Sequence, residues 1–260
     1  LAVPMEKGSP PDVPLARGGG ADRNAMPLYA IPNVHVSKRI LRNLPYRTSA
    51  LRALGGYANI FAIETLMDDI AASIGADPVA FRLDHLDDAR ARAVITKAAE
   101  MAGWPGPTVQ GEALGIGFNQ YKNRSAYCAV VARVVCDERV RLTHAWAAVD
   151  AGEAINPDGI INQIEGGIIQ SASWTLKERV NFDGDAVTTR DWEAYPILSF
   201  SETPEIKVSL IVRPELPGLG VGETATGPTA AAIGNAVHRA LGIRVRTLPI
   251  TRDAILAASI

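Results

Sequence analysis

The sequence predicts an α+β fold in which helices and sheets form two subdomains. Between residues 58 and 102 apolar side chains recur every three or four positions, which is the period of amphipathic helices. From residue 114 to residue 149 β-branched residues dominate instead, as they do in strands. Both patterns return further along the chain, so we expect helices and strands to be mixed in its second part.

Three helices are predicted before residue 110, over 58–74, 78–85 and 88–102. They are bounded by residue types that start or stop helices, namely Gly75, Asp77-Pro78, Asp87 or Asp88, and Gly103. The side chains expected to face inward are Ile60, Ile63, Met67, Ile70, Ala71 and Ile74 in the first helix and Val94, Ile95, Ala98, Ala99 and Ala102 in the third.

The second part is predicted to contain strands and two further helices. The strands are expected over 114–121, 126–136, 139–149 and 206–212, with a hairpin over 178–190 that turns at Asp183-Gly184-Asp185. One helix is expected over 157–176 after Asn156. The other has Gly227 as N-cap, Pro228 as first helical residue and Gly242 as C-terminal stop.

These elements divide the chain into three predicted regions. Residues 1–25, rich in proline and glycine, form an extended arm that needs a partner surface to become ordered. Residues 26–110 form a mainly helical part, and residues 111–260 form an α+β part that contains the loop 218–223. Because the chain begins at Leu1, we expect a processed product or a piece of a longer protein.

Composition narrows the function. The 260 residues are 47% hydrophobic, and the 26 basic and 28 acidic residues show no basic run, which disfavours a nucleic-acid partner. No apolar stretch approaches the roughly 20 residues of a membrane span, and no signal peptide is visible. Two cysteines cannot supply the four thiolates of an iron–sulfur cluster, and the four histidines lack ligand spacing. We therefore expect no metal bound directly by protein side chains.

The first candidate site is Gly218-Leu-Gly-Val-Gly-Glu223. Its alternating glycines allow a tight backbone, and its single carboxylate precedes a helix, which suits an enzyme base on a strained loop. The overlapping segment Gly220-Val-Gly222-Glu-Thr-Ala225 formally fits the dinucleotide fingerprint G-x-G-x-x-G/A. However, residues 213–217 separate it from the preceding strand, and only 18 residues follow Gly242 for the rest of the unit. A purely structural glycine turn is the alternative.

The second candidate covers residues 47–56. It holds Arg47 and Arg52 among small residues and ends in a glycine pair before a helix. Arginine offers bidentate donors to oxyanions, and glycines let backbone amides approach a ligand. A solvated arginine at the entry to a helix is the alternative.

The third candidate covers residues 161–170, within a predicted helix. Gln163 and Glu165 lie off its apolar stripe, and Gly166-Gly167 costs about 1 kcal/mol per glycine relative to alanine. Close approach of a ligand or of another helix would explain that cost, and the sequence leaves both open.

In this order, the three segments resemble the C-terminal part of the molybdopterin-binding large subunit of the molybdenum hydroxylases, the xanthine dehydrogenase/aldehyde oxidase family. The resemblance covers residues 30–258 and looks closest to the nicotinate dehydrogenase and isoquinoline oxidoreductase branch. The motifs that carry it are Ser49-Ala-Leu-Arg-Ala-Leu-Gly-Gly56, Asp77-Pro-Val-Ala-Phe-Arg-Leu83, Val149-Asp-Ala-Gly152, Ile155-Asn-Pro157, Gln163-Ile-Glu-Gly166, Tyr195-Pro196, Pro204-Glu-Ile206 and Gly220-Val-Gly-Glu223.

The resemblance implies an enzyme that oxidises an N-heterocyclic aromatic or an aldehyde with water as oxygen donor. Glu223 occupies the place of the family's general base. Leu54 stands where xanthine oxidoreductases carry a phenylalanine over the substrate ring, which argues against a purine and for a nicotinate-like substrate held by polar contacts. Arg47 or Arg52 could meet its carboxylate, unless Arg52 is committed to the cofactor. The cofactor-binding residues implied are Arg52, Gln163, Leu51, Gly220 and Gly222.

The resemblance also implies a larger assembly. The expected cofactor is molybdenum–molybdopterin, including its cytosine dinucleotide form, with [2Fe–2S] clusters and FAD or cytochrome c on partner chains. The expected partners are the N-terminal portion of the large subunit, a [2Fe–2S] subunit and an FAD or cytochrome c subunit. We expect a cytoplasmic bacterial complex, with a periplasmic or membrane-associated one as alternative. A non-catalytic scaffold or interaction subunit is the competing class of function.

Overall fold

The computed structural model describes residues 19–41, 48–106, 109–184 and 186–260. Helices and strands are mixed, which confirms the α+β prediction, and the predicted elements are present close to their expected bounds. In chain order they are α1 (Gly56–Ser73), α2 (Pro78–Asp84), α3 (Ala89–Ala102), β1 (Glu112–Gln120), β2 (Tyr127–Cys136), β3 (Val140–Asp150), α4 (Pro157–Leu176), β4 (Phe182–Asp183), β5 (Ala186–Val187), β6 (Glu205–Leu210), α5 (Thr226–Leu241) and α6 (Arg252–Ala258).

A four-stranded sheet with the order β1-β2-β3-β6 organises the fold. The first three strands pair antiparallel, whereas β6 runs parallel to β3, with His144 opposite Glu205 and Val149 opposite Leu210. A parallel pair needs a crossover connection, and α4 lies in that connection. As a result, the chain leaves β6 beside the end of β3 and enters the segment that carries Glu223.

Helices cover both faces of this sheet, and the alternation of side chains along β2 shows the two layers. Cys128, Val130 and Val134 belong to the same apolar cluster as residues of α4 and α5. Tyr127, Ala129 and Val131 belong to a second cluster, shared with residues of α1, α2 and α3. The sheet is therefore a central layer, and the predicted division near residue 110 stays a prediction.

Helix α5 lies against the sheet at backbone contact distance. A Cβ added at Gly115 would lie 2.2 Å from the Ala236 nitrogen, and one at Gly117 would lie 2.3 Å from the Pro228 oxygen. On the other side of α5, a Cβ at Gly227 would lie 2.6 Å from Ile60. Glycine is thus required at these positions because a side chain would overlap neighbouring atoms, not because of the backbone conformation. This close packing fixes the position of the start of α5.

Two local predictions are wrong. Helix α5 begins at Thr226 with Ala225 as N-cap, so Gly227 and Pro228 lie in its first turn. Proline is tolerated there because amides of the first turn have no intrahelical acceptor. In α1, Ile70 and Ile74 are exposed rather than buried.

The buried stripe of α1 includes carboxylates in place of those isoleucines. Glu64 accepts a hydrogen bond from Arg82 Nε at 2.9 Å, and both side chains are almost fully buried. Asp68 Oδ2 lies 3.2 Å from Arg244 Nη2. Apolar periodicity does not reveal a buried acid whose basic partner lies elsewhere in the chain. The buried face predicted for α1 is therefore rotated relative to the face that the structure buries.

Other expectations fall partly outside the described residues. Residues 1–18 of the predicted arm and Asp185 of the predicted hairpin turn are among the undescribed positions, whereas β4 and β5 pair antiparallel as expected. Within the described ranges, no helix is long and apolar enough to cross a membrane.

Because a Cβ at Gly115 would overlap backbone atoms of α5, we expect Gly115→Ala to lower the free energy of unfolding by about 3 kcal/mol or more. Gly166→Ala is the matched control. A Cβ there meets nothing within 4 Å, so helix propensity should raise stability by up to about 1 kcal/mol. Urea unfolding measures both variants, and equal midpoints for Gly115→Ala and the wild type would contradict this packing.

Candidate active site

Glu223 lies in the connection between β6 and α5, two residues before the N-cap of α5. The loop is attached to the rest of the fold by backbone hydrogen bonds. Leu219 N donates to the Ala151 oxygen at 2.7 Å, and the Gly220 oxygen accepts from Ala126 N at 3.5 Å. None of the glycines at 218, 220 and 222 adopts a left-handed conformation, so the prediction of glycine-dependent strain in this loop is wrong.

Backbone strain lies in the facing loop, at Ala53 and Leu54. Both residues have positive φ angles, 67° and 48°, in a region that costs a non-glycine residue about 1–3 kcal/mol. The conformation is held from outside, because Ala53 N donates to Glu223 Oε1 at 2.8 Å. The carboxylate predicted as a base therefore also fixes the strained loop.

Arg52 makes the reciprocal contact to the Glu223 loop. Its Nε and Nη2 donate to the Gly222 oxygen at 3.0 and 2.7 Å. Its Nη1 donates to Gln170 Oε1 at 2.7 Å, and Nη2 also approaches Gln163 Oε1 at 3.4 Å. Because these contacts use most of the guanidinium donors, Arg52 is committed to the loop and to α4 rather than to a substrate carboxylate.

Gly167 lets the N-cap residue of α5 lie close to α4. A Cβ at this position would lie 3.3 Å from the Ala225 Cβ and 3.6 Å from Arg52 Nη2. A Cβ at Gly166, in contrast, would meet nothing within 4 Å. The cost of placing two glycines in a helix suggested close packing against them. Of the two, Gly167 is the one with a close neighbour.

A groove of about 550 Å³ separates the glycine loop from the N-terminal half of α4. Gln163 and Gly220 lie on its walls, and a Cβ at Gly220 would meet nothing within 4 Å. Within the described ranges, the amide nitrogens of Gly220, Val221 and Gly222 donate to no protein acceptor. The groove is lined by Glu153, Ile155, Asn156, Gly159, Ile160, Gln163, Gly218, Leu219, Gly220 and Val221.

The remaining predicted site residues lie around this centre. Leu51 is 63% exposed, and its carbonyl accepts from Leu54 N at 3.1 Å. Leu54 is partly exposed on the strained loop. Arg47 lies outside the described residues. The structure therefore brings Arg52 into contact with Gln163 and Gly222, and Glu223 into contact with Ala53, while what Leu51 and Leu54 bind stays a prediction.

Two residues at the site were missed from the sequence. Arg23 Nη1 lies 3.8 Å from Glu223 Oε2 and donates to the Tyr121 hydroxyl at 2.6 Å. The turn that carries Arg23 packs on Gly55, where a Cβ would lie 2.2 Å from the Ala21 oxygen. Arg23 falls in the predicted arm, and no local pattern distinguishes it. Tyr121 ends a predicted strand, and this position gives only a weak indication of a role at the site.

A buried acid, Asp150, holds the start of the connection between β6 and α5. It accepts bonds from Arg213 Nε at 2.6 Å, Arg90 Nε at 3.1 Å and Gly152 N at 3.0 Å. Burial by itself would raise the pKa of Asp150, but the hydrogen bonds from Arg90, Gly152 and Arg213 outweigh it and hold the pKa below its ordinary value. This cluster connects the end of β3 to the start of the loop.

Unpaired backbone amides recognise polar edges of a ligand, and a carboxylate within reach of that ligand can accept a proton. The fold and the groove thus define a cofactor-binding domain of an enzyme. Comparison with known families identifies the kind of cofactor-binding domain. The chain belongs to the molybdopterin cofactor-binding domain family, whose model matches residues 33–204, more than half of the chain.

Two curated relatives show the resemblance in sequence. The chain is 38% identical over 255 residues to one subunit of the nicotinate dehydrogenase of Pseudomonas putida, covering 91% of this chain and 21% of that protein. It is 36% identical over 207 residues to the beta chain of isoquinoline 1-oxidoreductase of Brevundimonas diminuta, covering 77% and 26%. The chain therefore spans about a fifth to a quarter of the length of these relatives.

Solved structures show the same fold at low sequence identity. Quinoline 2-oxidoreductase from Pseudomonas putida matches with a TM-score of 0.70 and 16% identity, over 80% of this chain and 52% of that one. Aldehyde oxidoreductase from Desulfovibrio gigas matches with a TM-score of 0.68 and 15% identity, over 94% and 45%.

Asp150→Asn tests the support of the loop. It leaves two arginines without their carboxylate, and we expect a loss of about 2–3 kcal/mol at pH 7, less than for a fully buried pair because Arg90 and Arg213 are partly exposed. Because the pKa of Asp150 is lowered on folding, its contribution is present above the unfolded value of about 3.9 and is lost as the pH falls through the folded value.

The difference between wild type and Asp150→Asn should therefore shrink as urea unfolding is repeated at decreasing pH below 4. The control is Asp87→Asn, an exposed carboxylate just before α3, which should change stability by less than about 0.5 kcal/mol. A pH-independent difference for Asp150→Asn would contradict the assigned charge.

Proposed function

We propose that this chain forms part of the active site of a molybdopterin-dependent hydroxylase, in which Glu223 is the general base. The observation that supports the proposal is a pair of reciprocal contacts between two loops. Arg52 donates to the Gly222 oxygen, and the Ala53 amide donates to Glu223, two residues beyond the part of its loop that lines the groove. The family membership supports this assignment over a non-catalytic scaffold.

The groove fits the chemistry of a molybdopterin. A pterin and its phosphate present several nitrogen and oxygen acceptors, and the amides of Gly220, Val221 and Gly222 are donors without protein acceptors among the described residues. Gln163 adds a side-chain amide on the opposite wall, and Gly220 leaves room for a ligand. These residues, with Arg52 ordering the loop, would hold the cofactor. The cytosine dinucleotide form would need further contacts of the same kind.

When bound, the cofactor supplies a centre that accepts two electrons from the substrate carbon. The contribution of this chain is proton transfer and orientation. Glu223 Oε1 is occupied by the Ala53 amide, so Oε2 is the oxygen available to accept the proton of the water-derived nucleophile. The side chain is 31% exposed, so it remains partly accessible while the Ala53 loop holds it.

The proposed substrates are N-heterocyclic aromatics, with aldehydes as a second group. The names of the two curated relatives refer to nicotinate and to isoquinoline, both nitrogen heterocycles. The proposed partners are the N-terminal portion of the large subunit, a [2Fe–2S] subunit and an FAD or cytochrome c subunit, which would carry electrons onward. The proposed location of this assembly is the bacterial cytoplasm.

Glu223→Gln tests the base. In the assembled enzyme we expect the rate of substrate-dependent cofactor reduction to fall about 100-fold or more, because the amide cannot accept the proton. Glu138→Gln, in the exposed turn between β2 and β3, is the matched control and should leave the rate unchanged. Stopped-flow absorbance measures the rate, and a rate for Glu223→Gln within a few-fold of wild type would remove Glu223 from this role.

A substrate panel tests the meaning of Leu54. An aromatic residue in its place would add about 0.5–1.5 kcal/mol of ring stacking, so a purine should be disfavoured here. We expect turnover of nicotinate, isoquinoline or benzaldehyde to exceed that of xanthine in steady-state assays of the whole complex. Xanthine turnover well above the other three would overturn the argument.

A further inference from the structure

The environment of Glu223 Oε2 contains two residues to which the proposed reaction gives no role. Oε1 is tied to the Ala53 amide, whereas Oε2 faces Arg23 at 3.8 Å. Arg23 connects Glu223 to Tyr121, because its Nη1 also donates a hydrogen bond to the Tyr121 hydroxyl at 2.6 Å. Arg23 and Tyr121 are 9% and 3% exposed, so both are buried.

The direction of the Arg23–Tyr121 hydrogen bond decides what Tyr121 can do. A guanidinium group only donates, so the phenol oxygen is the acceptor and its own hydrogen is left for another partner. Burial raises the pKa of Tyr121, and the nearby Glu223 carboxylate raises it further, while the bond from Arg23 acts in the opposite direction. The hydroxyl therefore stays protonated near neutral pH, and Glu223 is the acceptor it faces.

The pair is rigidly attached to the surrounding elements. Asn59 Nδ2 on α1 donates to the Arg23 oxygen at 2.9 Å. Asn24 Nδ2 donates to the Gln120 oxygen at 2.8 Å, and its Oδ1 accepts from Lys122 N at 2.9 Å, on either side of Tyr121. These bonds join the turn of Arg23 directly to the end of β1, so they fix the position of Tyr121 relative to Arg23.

We propose that Arg23 and Tyr121 are positioning residues that hold Glu223 Oε2 in one orientation: Arg23 orients Tyr121, and the Tyr121 hydroxyl donates to Glu223. The inference rests on the proposed role of Glu223 as base. With Oε1 tied to Ala53 and Oε2 guided by Tyr121, the carboxylate keeps one orientation, and loss of orientation at a reacting group lowers the rate of the chemical step rather than substrate binding.

Tyr121→Phe removes the hydroxyl with little change in shape. In the assembled enzyme we expect kcat to fall about tenfold or more while KM stays within about twofold. Tyr195→Phe is the matched control, because Tyr195 also donates to a carboxylate, Glu178 Oε2 at 2.7 Å, away from the groove. It should leave both constants unchanged. A kcat of Tyr121→Phe within about twofold of wild type would overturn the proposal.

A double-mutant cycle separates this inference from the proposed base. If Tyr121 acts through Glu223, adding Tyr121→Phe to Glu223→Gln should change the residual rate by less than about twofold. The same four proteins are compared by denaturant unfolding, which does not depend on activity, and the two substitutions should be non-additive there as well.

Additive effects in the unfolding cycle would refute the Tyr121–Glu223 contact even if Glu223→Gln abolishes activity. Conversely, retained activity of Glu223→Gln together with non-additive unfolding would leave the contact standing and remove only the assignment of Glu223 as base. The two failures are therefore distinguishable.

Discussion

The site depends on a reciprocal exchange of hydrogen bonds between two loops that are 170 residues apart in sequence. The Arg52 side chain donates to the backbone oxygen of Gly222, and the Ala53 backbone donates to the Glu223 side chain. Each loop thus orders the other. The strained backbone at Ala53 and Leu54 persists because the Glu223 carboxylate and the buried surroundings over-determine it. A residue proposed for chemistry is at the same time a structural partner, which limits how far it can be substituted without moving the groove.

Helix α5 provides the fixed support for this exchange. Its backbone touches β1 through Gly115 and Gly117 and approaches α1 through Gly227, so β1 and α1 together fix its position. Since Glu223 lies just before the first turn of α5, the packing of α5 sets the position of the carboxylate within a narrow range. Small residues in the core thereby contribute to the geometry of the site as much as the polar groups do, although none of them contacts the groove.

Three carboxylates in the structure are each paired with arginine. Asp150, Glu64 and Glu223 each face at least one arginine that comes from a distant segment. A buried carboxylate is tolerated when a cation and several donors compensate for lost hydration, and such pairs are sensitive to removal of either partner. In this chain the Asp150 pairs join the end of β3 to α3 and to the connection that follows β6, so charge pairing and loop placement are coupled.

Sequence patterns by themselves determined the order and nature of the elements, because helical and strand periodicities and glycine stops are local properties. They also marked Glu223, Arg52 and Gln163 through motifs that resemble a family. They did not place Arg23 and Tyr121 at the site, and they put Ile70 and Ile74 in the core instead of Glu64 and Asp68.

Those features were decided by tertiary structure. Whether a carboxylate is buried depends on a basic partner elsewhere in the chain, and whether a glycine is required depends on the backbone that packs on it. Such non-local pairings leave no periodic trace: Gly115 resembles an ordinary strand glycine until α5 lies against it, and Arg23 resembles part of an arm until Tyr121 and Glu223 meet it.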